Sequence, residues 1–213
     1  LAEIALYEND ESLALEYAQK AYSSFSANNA AKNLIIKLGG VEKLNKTNVK
    51  GDQLVYEGDQ FEREGDCNAA QAHYKAAFER NPKNGVAALK AARCLWRLSF
   101  STEAIDWLNR AIKADPQLVE SYITLADYYS RRYNFEAAGA ILQKAHSLNS
   151  KNFEVYRGYA LVELRRRNYG GAINYAKQAV ALHEADVDTY IIMAEAYLKM
   201  SKYTEAYNIA NRA

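Results

Sequence analysis

Alanine returns at every thirty-fourth position through most of this chain. Ala70, Ala104, Ala138, Ala172 and Ala206 form one ladder, and Ala77, Ala111, Ala145, Ala179 and Ala213 form a second, seven residues further on. A third ladder, of small residues, reads Gly58, Ala92, Ala126, Ala160 and Ala194; a fourth, mostly aromatic, reads Leu54, Ala88, Tyr122, Tyr156 and Tyr190. The two prolines, Pro82 and Pro116, are also 34 residues apart. Agreement of several ladders at one period marks a repeat array, in which no single unit can bury its apolar side alone. The building element is helical: 213 residues rich in Ala, Leu, Glu, Lys and Arg hold only two prolines and ten glycines.

Within one period the residues follow a set order. Tyr122, Leu125, Ala126, Tyr129, Ala138, Leu142 and Ala145 show it: a large residue, a small one four later, an aromatic three after that, then Ala, a large residue and Ala. This pattern resembles the tetratricopeptide repeat. The resemblance implies an all-α fold, a right-handed α-α superhelix of antiparallel helix hairpins. Units are expected at 51–84, 85–118, 119–152 and 153–186, with a fifth, 187–213, that breaks off late in its second helix. Alanine or glycine is required where backbones approach most closely, so a bulky residue at Ala138 or Ala172 should overpack the hairpin. Upstream, Leu1, Ala2, Ala14, Ala18 and Ala21 fit the second half of a hairpin over 1–28. From Asn29 to Lys50 the period fails, and a degenerate repeat or helical linker is expected, with a helix from Ala30 to Leu38 ended by Gly39-Gly40. Another short helix is expected to begin over Val41 to Leu44. A first residue other than Met and a last one inside a helical pattern suggest an excised fragment.

Turn chemistry supports the register. Asn81-Pro82 and Asp115-Pro116 suggest a cap followed by a first-turn proline, and Asn152 and Asp186 stand where other first helices should start. The sequence departs from the family at its turn glycine, which appears only as Gly65; the counterparts are Ser99, Tyr133, Arg167 and Ser201. Its terminal proline is replaced by Ser150 and Glu184, and Gly170-Gly171 should loosen the start of one second helix.

Several functions are disfavoured. Lys and Arg number 27 against 26 Asp and Glu, a net charge of +1 that offers no general attraction to nucleic acid. No apolar run is long enough for membrane insertion, and no signal peptide is visible. Cys67 and Cys94 make neither a disulfide framework nor a zinc spacing, and point to a cytoplasmic location. No Gly-rich phosphate loop, HExxH, GxSxG or CxxC occurs. His73, His146 and His183 fall in different repeats, unsuited to one metal site. The chain is therefore expected to be no enzyme and to use no cofactor or metal.

The resemblance implies a docking face on the first helices, at the second, fifth, sixth, ninth, twelfth and thirteenth positions of each unit. These include Val55, Tyr56, Asp59, Leu89, Lys90, Arg93, Trp96, Arg97, Ile123, Asp127, Arg131, Arg157, Leu161, Leu164, Arg165, Ile191 and Ile192. Bases recur late in the units (Arg63, Arg97, Arg131, Arg165, Lys199) and acids early (Asp52, Glu120, Glu154, Asp188). That arrangement fits a groove with one basic and one acidic edge. It fits better still the compensation of helix dipoles, about 0.3–1 kcal/mol apiece. Lys90, Arg93 and Arg97 share one helix face, with Arg131, Arg157 and Arg165 in the next two units. With Trp96 beside them, they suggest capture of an acidic and hydrophobic peptide.

A carboxylate clamp of the chaperone-binding kind is not expected. The corresponding positions hold Val55, Asp59, Lys90, Glu120 and Thr124, with one basic residue among them. Most of the 17 tyrosines, among them Tyr74, Tyr129 and Tyr197, fall on family packing positions rather than on a stacking surface. The leading expectation is a protein-binding scaffold. The alternatives are a regulatory or targeting module of a larger enzyme, and a structural array forming homo-oligomers through the uncapped end at Tyr203 to Ala213.

Overall fold

The computed structural model describes residues 46–212, together with Ala14, Tyr17, Ala18 and Leu34. The expectations for 1–28 and for 29–45 otherwise lie outside the described residues. Ten α-helices lie between residues 46 and 212, and no strand occurs among the described residues. They are α1 (Lys46–Arg63), α2 (Cys67–Arg80), α3 (Gly85–Arg97), α4 (Ser101–Ala114), α5 (Val119–Arg131), α6 (Phe135–Leu148), α7 (Phe153–Arg165), α8 (Tyr169–Leu182), α9 (Val187–Lys199) and α10 (Tyr203–Ala210). The 34-residue period reappears in the helix starts at Cys67, Ser101, Phe135, Tyr169 and Tyr203. It reappears again at Gly85, Val119, Phe153 and Val187. α1 starts at Lys46, ahead of Gly51, and its sequence holds no proline to interrupt it.

The chain forms two compact units, Leu1–Ser99 and Phe100–Ala213. In the first, α2 packs against both α1 and α3. In the second, each helix from α4 to α10 packs on the next, and α7 also contacts the first helices α5 and α9. Small residues sit where these backbones converge. Ala70, Ala104, Ala138, Ala172 and Ala206 are all buried, as are Ala77, Ala111, Ala145 and Ala179. Larger residues fill the space between them: Ala126, Ala138, Leu142 and Val162 make one apolar cluster, and Ala160, Ala172, Ala176, Ile192 and Met193 belong to another.

The turns inside the hairpins are the most regular feature. Gly65 has φ +85°, and Ser99, Tyr133, Arg167 and Ser201 have φ of 69°, 60°, 66° and 59°. The left-handed conformation is retained at all five positions, although four carry a side chain that strains it by about 1–2 kcal/mol. Hydrogen bonds hold it there. In the α5–α6 turn the Tyr133 N–H donates to Ser130 O (3.0 Å) and the Asn134 N–H to Tyr129 O (2.9 Å); the Gly65 and Arg167 turns repeat both bonds. This double closure ends a helix by occupying its last free carbonyls.

The helix starts differ from expectation at both prolines. Asn81 and Asp115 close the preceding helices α2 and α4 instead of opening the next ones. A following proline forces them into extended backbone, with φ −135° and −137°. Their side chains then accept from the N–H of Lys83 (3.2 Å) and Gln117 (3.0 Å) within the turn. α3 is capped by Asn84, which accepts from the Ala87 N–H at 3.0 Å, and α5 is preceded by Leu118, which offers no side-chain cap. Asn152 caps α7 through the Glu154 N–H at 2.8 Å. Asp186 precedes α9 but does not cap it, because its carboxylate is held by Arg157 and Thr189. Gly170-Gly171 lie within an unbroken α8, whose start is held by Asn168 accepting from the Gly171 N–H at 3.2 Å.

Candidate protein-interaction surface

The polar side chains of the first helices are tied together across successive repeats. In the Leu1–Ser99 unit, Asp59 and Glu62 are one turn apart on α1. The buried Tyr74 of α2 directs its hydroxyl between them, 2.7 Å from Asp59 Oδ1 and 2.8 Å from Glu62 Oε2. The single phenolic proton serves one carboxylate at a time. Burial, reinforced by those carboxylates, pushes the Tyr74 pKa well above its ordinary value. From α3, Lys90 Nζ reaches Asp59 Oδ1 at 2.5 Å and lies 5.6 Å from the centre of the Tyr74 ring. Arg97 stands 3.5 Å from Glu62 Oε1.

In the Phe100–Ala213 unit, Asp127 on α5 accepts from Arg131 Nε at 2.8 Å and from Arg165 Nη1 of α7 at 2.6 Å. Arg165 also donates to the buried Ser130 hydroxyl. Near the other end of α7, Arg157 Nη1 donates to Asp186 Oδ1 (2.7 Å) and Asp188 Oδ2 (3.3 Å), with its guanidinium carbon 5.6 Å from the centre of the Phe153 ring. Such partly exposed pairs contribute little net stability, about 0–1 kcal/mol each. Their effect is to hold long side chains in one orientation.

The expected docking residues divide accordingly. Lys90, Arg97, Asp127, Arg131, Arg157 and Arg165 are members of these pairs. Tyr56, Arg93 and Trp96 are half-buried. Leu89 is only 1% exposed and belongs to the core, so it leaves the candidate surface. Leu164 and Ile192 are buried as well, and Ile123 and Leu161 pack against apolar clusters. Ile191, by contrast, is 55% exposed, and Leu198, seven residues later on α9, is 51% exposed. Leu198 was not singled out in the sequence, although it occupies the same repeat position as Trp96. The histidines are dispersed: His73 bonds Ala69 O, His146 bonds the Tyr156 hydroxyl, and His183 stacks on Phe153.

The tetratricopeptide repeat family model matches residues 57–119. At the level of fold, the chain is similar to a tetratricopeptide repeat protein from Parabacteroides merdae, with a TM-score of 0.64 and 20% identity over 98% of this chain and 74% of that one. Its fold is that of a tetratricopeptide repeat protein. A second structural likeness of this repeat protein is to a chain of the APC/C hetero-tetramer Cut9-Hcn1, with a TM-score of 0.72, 17% identity, and coverage of 95% of this chain and 42% of that one. In sequence it is similar to Stress-induced-phosphoprotein 1 of Caenorhabditis elegans, 24% identical over 162 residues, which are 71% of this chain and 48% of that protein. The chain thus spans about half the length, or less, of the first curated relatives it matches. Proteins of this repeat family generally mediate protein–protein interaction and are generally non-catalytic. No described helix is long and apolar enough to cross a membrane.

Proposed function

We propose that this tetratricopeptide repeat protein is a non-catalytic scaffold that binds a partner peptide or protein along the sides of its first helices. In the Leu1–Ser99 unit the contacting residues are Tyr56, Lys90, Arg93, Trp96 and Arg97. In the Phe100–Ala213 unit they are Arg131, Arg157, Arg165 and Ile191, joined by Leu198. The observation that carries this proposal is the pinning of the face by Lys90–Asp59, Arg165–Asp127 and Arg157–Asp186. A surface whose long side chains are already ordered loses less conformational freedom when a partner docks. Arg97 and Arg131 keep about half of their side chains open to solvent, which suits a peptide carrying both acidic and apolar residues.

The test is capture of partners from source lysate by the wild-type chain, by Arg93→Glu/Arg97→Glu, and by Arg131→Glu/Ile191→Glu, each variant checked for unchanged helicity. A partner lost in either variant supports the first-helix surface in that unit. Equal capture by all three chains refutes it. A second role, self-association through α9 and α10, is favoured by the exposure of Ile191, Leu198 and Tyr207. A single monomeric species at all concentrations in sedimentation rules it out.

A further inference from the structure

The turns that join first to second helices in the Phe100–Ala213 unit lie along one edge. Arg165, in the last turn of α7, reaches Asp127 and Ser130 near the end of α5, and Arg157, in the first turns of α7, reaches Asp188 at the start of α9. The three first helices therefore run parallel, and the turns that follow them are neighbours. Those turns carry Arg132-Tyr133, Arg166-Arg167 and Lys202-Tyr203, all exposed; Tyr133 is 80% and Tyr203 68% exposed. Arg166 has a carboxylate within reach, Glu163 at 3.9 Å, and Tyr133 meets Phe135 edge-on. Packed helices stand about 8–10 Å apart, so cations recur along the edge at that interval.

Backbone conformation supplies an independent sign. Tyr133 and Arg167 occupy left-handed turn positions that glycine would fill without strain, as Gly65 does in the α1–α2 turn. Both side chains project into solvent, so neither offsets the strain by burial. Strain retained beneath an exposed side chain points to a role outside the fold.

We propose that this edge is a second docking surface of the scaffold, separate from the first-helix sides, and that it takes an acidic protein segment with apolar or aromatic residues among its carboxylates. An extended peptide advances about 3.3–3.6 Å per residue, so an acid at every third position meets each cationic turn in succession. Glu136 in the first turn of α6, Glu163 beside Arg166 and Glu205 in the first turn of α10 adjoin these turns in sequence. They favour a partner with spaced negative charges over the continuous charge of a nucleic acid or an anionic membrane. The exposed tyrosines supply flat amphipathic contacts for the residues between.

The experiment is fluorescence anisotropy on the full 213-residue chain with a labelled (Glu-Glu-Tyr)n peptide, and with (Gln-Gln-Tyr)n, oligouridine and phosphatidylserine vesicles as competing probes. The acidic peptide should bind, should weaken as salt rises, and should lose about tenfold or more in affinity in Arg132→Glu/Arg167→Glu. Arg132→Lys/Arg167→Lys should retain most of the binding, which guards against misfolding as the cause. Tyr133→Gly should raise the melting temperature yet weaken the peptide complex, a pairing that a purely structural tyrosine would not give. Loss of binding in Arg97→Glu with none in Arg132→Glu/Arg167→Glu would assign this probe to the first-helix surface and overturn the proposal, which separates failure of this edge from failure of that surface. Equal affinity for wild type and the Glu variant overturns the proposal. So does tighter binding of oligouridine or vesicles, or the absence of acidic-peptide binding at low salt.

Discussion

The α1–α2 hairpin and the α5–α6 hairpin fill the same interior space with different chemistry. In α1–α2 the small position is Gly58, and a Cβ there would stand 2.6 Å from the Tyr74 ring. The tyrosine occupies the room an alanine would need, and its hydroxyl is met by Asp59 and Glu62. In α5–α6 the small position is Ala126, and the residue facing it is the fully buried Leu142, with no polar atom to satisfy. The turns contrast as well: Gly65 adopts its left-handed φ freely, whereas Tyr133 is strained in the same conformation. The period constrains the summed volume of a facing pair, not either residue alone. A hairpin tolerates strain in its backbone or a polar group in its core, provided the rest of the unit supports it.

The largest effect should come from removing the volume itself. Leu142→Ala is expected to destabilise the chain by about 2–5 kcal/mol in chemical denaturation, because the cluster around it can collapse only in part. A loss well under 1 kcal/mol would mean that the pair is not the unit of packing. Next, Gly58→Ala should cost about 1–3 kcal/mol by overpacking against Tyr74. Adding Tyr74→Leu should recover much of that loss, since the first hairpin would then carry the pair found in the third. A double-mutant cycle without coupling would break the comparison.

Smaller shifts are expected at the turns. Gly65→Ala should destabilise by about 1 kcal/mol, whereas Arg167→Gly should stabilise by about 0.5–1 kcal/mol, because the freedom glycine gains when unfolded offsets part of the relief. Melting temperatures moving the same way for both would contradict the shared left-handed geometry.

The last difference appears as reactivity. Cys94, fully buried in the Leu1–Ser99 unit, has its thiol pushed from an ordinary 9.0 up to about 12, chiefly by burial, then by Glu62 and Cys67. The fold thus favours the protonated thiol. That contribution is fully present below about pH 9 and is lost as pH climbs towards 12. Alkylation of Cys94 at about pH 8 should be slow in the folded chain and fast in urea, and stability should fall between pH 9 and 12. Rapid labelling of the folded protein would refute this.

Much of this protein could be read before its structure, and the part that could not has a consistent character. The 34-residue period, the helical class, the buried alanines and the recurrent turn positions were all visible in the sequence. Each depends on local backbone preference or on a size limit that recurs at one place in every unit. Tyr133 and Arg167 could be recognised as stand-ins for a turn glycine, but only the fold showed that they keep its left-handed φ. Charge pairing was not legible. Lys90 finds Asp59 at a separation of 31 residues, Arg165 finds Asp127 at 38, and Arg157 finds Asp186 at 29. Those separations straddle the period, and which carboxylate a flexible cation reaches depends on how one hairpin is set against the next. Leu89 was misplaced on the surface for the same reason: helix periodicity assigns it a face, but only the neighbouring helices decide whether that face is covered. Asn81 and Asp115 show the limit at short range, since an Asx-Pro pair can either end one helix or begin another. The sequence by itself determined where the helices and turns recur, because those demands are local and repeated. Tertiary structure alone decided which charges are paired and which apolar residues stay open, because both follow from packing between elements distant in sequence.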